Sequence, residues 1–136
     1  MANSWILKTE PSTYSWDDLL RDRQTAWEGV ANAAALIHLR TMQTGDEALI
    51  YHSGADKAII GIARIIRGAY PDPKLDDPRR VVVDVEAHHA LRKPVTLSEI
   101  KADKSLATLA LVRISRLSCS PVSAEHRAIL RKLGVR

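Results

Sequence analysis

Alternation of apolar and polar positions divides the chain into short elements. Trp5-Ile6-Leu7-Lys8 predicts a first strand, stopped at Pro11. Ser15 precedes Trp16, and Asp18 stands three positions on, a capping-box arrangement that opens a helix running to about Arg23. Asn32 predicts the cap of a second helix over 33–40, ended before the Gly45-Asp46 turn. The β-rich runs 48–51 and 58–66 flank Ser53-Gly54-Ala55-Asp56 and read as an antiparallel pair. Pro71-Asp72-Pro73 and Asp76-Asp77-Pro78 mark a loop, after which 81–85 predicts a strand buried on both faces. Thr96-Leu97-Ser98-Glu99 is a second capping box, and a further short helix is expected over 105–109. Residues 112–118 read as extended. Ser123 then caps a last helix, striped by Ile129, Leu130 and Leu133 and closed by Gly134. The order β-α-α-β-β-β-α-β-α, with hairpin-linked strands, predicts one α+β domain over 1–136, or a small mixed barrel with peripheral helices.

Composition sharpens this in one respect. The chain has no Phe, three Trp and three Tyr, so aliphatic side chains must build most of the core. All six aromatics, Trp5, Tyr14, Trp16, Trp27, Tyr51 and Tyr70, fall in the first 70 residues. Twenty basic against sixteen acidic residues give a formal charge of +4, which permits a polyanionic partner without requiring one. No apolar run is long enough to span a membrane and no secretory signal is visible, so a cytoplasmic protein is expected.

Most catalytic chemistry finds no foothold. The six glycines form neither a dinucleotide fingerprint nor a phosphate loop, and no cofactor is expected. His88 and His89 are adjacent and are predicted to point to opposite faces of a strand, which is poor geometry for one metal, so no metal site is expected. The single Cys119, with His126 as a conceivable base, fits a small buried hydrophobe better than a nucleophile.

Three clusters remain. Lys8-Thr9-Glu10-Pro11 puts a cation, a hydroxyl and a carboxylate at a strand end. Trp27-Glu28-Gly29-Val30-Ala31-Asn32 sets a large aromatic on a glycine-containing loop, and Tyr51-His52-Ser53-Gly54 ends a strand with three hydrogen-bonding side chains. An aromatic face with amides and hydroxyls suits a planar, polar-edged ligand such as a nucleobase. By residue type alone, Trp27 and Tyr51 fit core positions, Asn32 a helix cap and Lys8 a solvated strand end. These residues by themselves carry the reading only to a binder of a polar ligand.

The same clusters, in order, resemble the EVE domain family. The resemblance is carried by 5–11, Tyr14-Ser15-Trp16-Asp17-Asp18-Leu19, Trp27-Glu28-Gly29-Val30 with Asn32, Gly45-Asp46 and Tyr51-His52-Ser53. It continues through Gly61-Ile62-Ala63, 69–73, Pro94-Val95-Thr96-Leu97, Arg116-Leu117-Ser118 and Pro121-Val122, covering essentially 5–134. It implies a PUA-like fold, a small mixed β-barrel flanked by helices, related to YTH and ASCH domains. It also implies a non-catalytic module that holds a modified, for example methylated, base of DNA or RNA flipped into a pocket. On that pattern Lys8 and Thr9 line the pocket's strand edge, Trp27 stacks on the base, Asn32 sits at a helix start, and Tyr51, His52 and Ser53 add polar contacts.

Three positions depart from the family pattern. Ala31 and Ala33 stand where an Arg and an aromatic are usual, and Leu36 where a basic residue is common. The Trp usual before the Val-Asp-Val strand is also absent. Arg79, Arg80, Arg113 and Arg116 are then the candidates for nucleic-acid backbone contacts. A second reading comes from the ASCH group, whose amidohydrolases act on acylated nucleosides, with Thr9 as the nucleophilic hydroxyl beside Lys8 and Glu10.

Overall fold

A computed structural model describes residues 2–136. A six-stranded sheet forms its centre, in the order β2-β5-β4-β3-β1-β6. The strands are β1 (Ser4–Thr9), β2 (Gln24–Ala26), β3 (Glu47–His52), β4 (Ala58–Pro71), β5 (Val81–Thr96) and β6 (Cys119–Val122). Among the described residues only β1 and β3 pair in parallel, with Lys8 opposite Tyr51 and Thr9 opposite His52. Five α-helices pack around the sheet: α1 (Trp16–Asp22), α2 (Ala33–Thr41), α3 (Leu97–Ala102), α4 (Ala110–Arg113) and α5 (Ala124–Leu133). This is the α+β, PUA-like architecture expected. Among the described residues no helix is long and apolar enough to cross a membrane.

The central strands are buried on both faces, and the period of two assigns each side chain to a face. Trp5 and Leu7 of β1 join Ile50 of β3, Trp16, Leu19, Trp27, Leu36 and Leu39 in one core beneath α1 and α2. Ile6 joins Leu49, Tyr51, Ile59, Ile100, Leu109 and Leu130 in a second core beneath α3, α4 and α5. Helix starts follow local chemistry. Ser15 and Asp18 form the predicted capping box on α1, and Thr96 and Glu99 form another on α3. The Asn32 carboxamide accepts the Ala35 N–H, Ser123 caps α5, and Gly134 ends it in the left-handed region.

Several expectations are corrected. β5 continues to Thr96, eleven positions beyond the predicted 85, because two of its four register breaks against β4 fall in this stretch and erase the alternation that marks a strand. At one of these breaks His88 is the extra residue between His89, paired with Ile62, and Ala87, paired with Ala63. The two imidazoles therefore meet, 4.8 Å between centroids, rather than pointing to opposite faces. The edge strand β2 is too short to leave a pattern. Residues 112–118 are not extended: α4 occupies Ala110–Arg113, anchored by buried Leu109 and Leu111, and β6 begins only at Cys119. A single 3-10 turn, Lys104–Leu106, replaces the helix expected over 105–109.

Candidate functional site

The strand β1 delivers Lys8 and Thr9 to the edge of a cavity of about 320 Å³, in the size range of small-ligand pockets. Thr13 and Tyr14 come from the turn after Pro11, Thr25 and Ala26 from β2, and Ser118 from the approach to β6. The far wall is the segment Trp27-Glu28-Gly29-Val30. Its start is pinned by the Trp27 N–H, which donates to the Val83 carbonyl at 2.7 Å. Gly29 turns the loop at φ +85°, a conformation costly for any side chain with a Cβ.

Two aromatics shape the interior. The Tyr14 and Trp27 rings meet edge to face, 6.2 Å between centroids and 90° between planes. Trp27 is 6% exposed, so it belongs to the core and to the cavity wall together. The Tyr14 hydroxyl donates to Asp22 at 2.9 Å, and Thr9 Oγ1 donates to the Tyr14 carbonyl at 2.6 Å, which fixes the turn that carries the ring. Burial pushes the Tyr14 phenol above its ordinary pKa, so it stays neutral.

The charge in the cavity is Lys8. Its ammonium donates to the Ser115 carbonyl at 2.7 Å and lies 5.8 Å from the centre of the Tyr51 ring. Among the described residues no carboxylate pairs with it, and burial pulls its pKa below the usual lysine value. Glu28, at the rim, is already held by Lys74 at 3.0 Å. Thr13, Thr25 and Ser118 add hydroxyls. The walls thus offer an aromatic corner, a cation without a carboxylate partner among the described residues, and hydroxyls that donate or accept.

The structure brings together Lys8, Thr9 and Trp27 but not the other sequence candidates. The lining does not include Asn32, Tyr51, His52 or Ser53, and the polar side-chain atoms of Asn32, His52 and Ser53 are bonded elsewhere. Asn32 caps α2, and Tyr51 packs in the second core beneath the Lys8 ammonium. His52 Nε2 accepts the Trp16 N–H at 2.9 Å while Nδ1 meets Asp56, also at 2.9 Å. Ser53 donates to the Thr9 carbonyl. Thr13, Tyr14, Thr25 and Ser118 are the polar and aromatic lining residues that sequence reasoning missed. Tyr14 and Ser118 left a signal, each inside a motif already singled out, Tyr14 also as one of six aromatics.

The arginine candidates lie outside. Arg79 is exposed and ion-paired with Asp77 at 3.1 Å, whereas Arg80 Nε donates to the Val30 carbonyl at 3.0 Å, behind the cavity loop. Arg116 is exposed. Glu10, the third member of the Lys8-Thr9-Glu10 cluster, turns away to Ser12 and Ser53. Cys119 is fully buried, with its thiol pushed up to about 12, and His126 instead meets Thr108, so no cysteine dyad forms.

Comparison with known proteins places this geometry. Thymocyte nuclear protein 1 of Mus musculus is 32% identical over 160 aligned residues, covering 93% of this chain and 71% of that protein. The solved structure of Rpa0253 from Rhodopseudomonas palustris has a TM-score of 0.92 at 44% identity, covering 98% of this chain and 93% of that one. The human THYN1 protein, solved in complex with 5-methylcytosine-containing DNA, has a TM-score of 0.88 at 28% identity, covering 97% of each chain. The EVE domain family matches residues 3–133. This chain therefore belongs to the EVE domain family.

Proposed function

We propose that this protein is a non-catalytic reader of nucleic acid that holds a modified base, flipped from its strand, in the 320 Å³ cavity. The observation that carries the reading is that the corner of Trp27 and Tyr14 lines one cavity with Lys8, whose ammonium meets the Ser115 carbonyl but no carboxylate among the described residues. A planar base gains stacking from the aromatics and edge hydrogen bonds from Lys8 and the hydroxyls of Thr13, Thr25 and Ser118. Extrusion costs a few kcal/mol, and stacking returns roughly 1–3 kcal/mol per base. The human relative bound to 5-methylcytosine-containing DNA supports a methylated base as ligand. Arg79, Arg80 and Arg116 contact the sugar–phosphate backbone, few enough for a shallow salt dependence of about two to four released counterions. Thr9 holds the Tyr14 turn through its hydroxyl, while Asn32, Tyr51, His52 and Ser53 position the walls from behind.

Hydrolysis has less support, because Thr9 Oγ1 already donates to a carbonyl and the Glu10 carboxylate faces Ser12 and Ser53. The deciding experiment is fluorescence anisotropy with oligonucleotides bearing cytosine or 5-methylcytosine, in deoxyribose and ribose forms. We expect preference for the methylated strand, weakened by roughly 1–3 kcal/mol in Trp27→Ala and partly restored in Trp27→Phe. Because Trp27 also packs in the core, unfolding is measured on the same variants. Equal affinity for both bases, with Trp27→Ala folded and unchanged in binding, would refute the reader. Release of acetate from N-acetylcytidine by the pure protein would establish the hydrolase instead.

A further inference from the structure

A second concavity, of about 430 Å³, lies on the outer side of the cavity loop. Its floor is aliphatic. Ala31 and Ala33 end at Cβ and leave room, and Leu36 and Ile37 of α2 fill the base. Ile37 is 59% exposed, more than any other large hydrophobic among the described residues. Around this floor stand Arg40, Arg79 and Arg80. The one acid in the lining, Asp77, is already occupied by Arg79. Arg40 itself donates to the Arg79 carbonyl at 2.7 Å, which ties α2 to the loop ahead of β5.

From these observations we infer that this groove seats the strand flanking the held base, with Arg40 taking a phosphate and Ile37 packing against a sugar or base face. The inference rests on the reader assigned above and adds two residues and a subsite to it. Three guanidiniums over an apolar floor complement a chain that alternates phosphates with flat apolar faces. The groove and the base cavity share one loop: Val30 lines the cavity and the next residue, Ala31, lines the groove. Arg80 braces that junction through its bond to the Val30 carbonyl. A strand with one base in the cavity brings its neighbouring nucleotide within reach of the groove.

The test uses the whole chain and three probes: 5-methyl-dCMP, a nine-nucleotide single strand with central 5-methylcytosine, and the same strand with an abasic centre. Ile37→Asp and Arg40→Gln change exposed side chains, and because Arg40→Gln also removes the bond to the Arg79 carbonyl, urea unfolding is measured on both variants and affinity is read on the folded protein. Both variants are expected to bind 5-methyl-dCMP as the parent does and the nine-nucleotide strand roughly tenfold more weakly. Arg40→Gln should also lower the slope of log affinity against log salt by about one. Parental affinity and slope for the strand in both variants would overturn the groove. Loss of binding to 5-methyl-dCMP, with the abasic strand still bound through Arg40, would topple the base reader and leave the groove standing. If Ile37→Asp only dissolves a concentration-dependent dimer, the groove is a contact between copies of the chain and the inference is wrong.

Discussion

His52 Nε2 accepts the backbone N–H of Trp16 at 2.9 Å, so the end of β3 holds the first turn of α1. The bond fixes the tautomer: Nδ1 carries the proton and donates to Asp56 at 2.9 Å. His52→Leu should leave the Trp16 N–H buried without an acceptor and cost about 1–3 kcal/mol of stability, read by urea unfolding. Ligand affinity of the folded fraction should not change. A large affinity loss with full stability would return His52 to the list of base contacts.

A Cβ placed on Gly61 would stand 2.7 Å from three atoms of the Trp16 ring, closer than real contacts allow. Gly61 is therefore the floor on which the buried indole lies, and the indole has little freedom to retreat. Gly61→Ala should lower stability by roughly 1–3 kcal/mol. Combining it with Trp16→Leu should cost less than the sum of the two changes, because the clash partner is gone. Additive losses in that cycle would mean that the backbone of β4, not the ring, absorbs the methyl.

Lys8 should show a trade between stability and binding. Its folded pKa lies below the unfolded one because burial disfavours the ammonium, so the charged side chain costs stability at neutral pH. Lys8→Met should therefore fold at least as stably as the parent at pH 7 while binding the methylated strand more weakly. As pH rises through the folded pKa the cost disappears, and the parent should gain stability relative to Lys8→Met. Urea midpoints from neutral to alkaline pH give the sign directly.

The acid limb should be shaped by Glu47. Burial alone would raise its pKa, but Arg127, Ser4 and Arg64 outweigh burial and hold it below the ordinary 4.5. A depressed folded pKa means stability that is present above the unfolded value and lost as pH falls through the folded one. Glu47→Gln should flatten the fall in urea midpoint from pH 5 downward. It should also lower stability at pH 7, because Arg127 then loses its carboxylate in a half-buried place. An unchanged acid limb would assign the pH dependence to other carboxylates.

Legibility in the sequence followed the range of the interaction. Ser15 with Asp18, Asn32, Thr96 with Glu99, and Ser123 all bond within three residues, and each was readable as a cap. Residues 86–96 of β5 were not, because the pairing partner sets each bulge and resets the alternation that a single strand would show. At the site, Lys8, Thr9 and Trp27 were readable as strand-end and loop residues bearing useful chemistry. Asn32, Tyr51, His52 and Ser53 have equally suitable side chains, but Asn32 is spent on its own helix, Tyr51 packs in the second core, and distant partners claim the other two: Trp16 takes His52 across 36 positions, and Thr9 takes Ser53 across 44. No pattern internal to the Tyr51-His52-Ser53 run announces those partners. The departures Ala31, Ala33 and Leu36 looked like scattered losses along the chain, yet all three line one groove.

The cavity has one wall on β1 and another on a loop, and the two should live on different timescales. β1 is hydrogen-bonded to β3 on one side and β6 on the other, with Ile6 and Leu7 wholly inaccessible. Opening the Lys8 side means pulling a doubly paired, buried strand out of the sheet, so amide protons of residues 6–8 should exchange only with global unfolding. The loop amides of Glu28 and Gly29 are outside any ladder and should exchange far sooner. Entry and departure of a base would then be metered by the Trp27–Val30 side alone, against a partner wall that stays still. Substitutions in that loop should alter residence time, while conservative changes in β1 that keep Lys8 should leave it untouched.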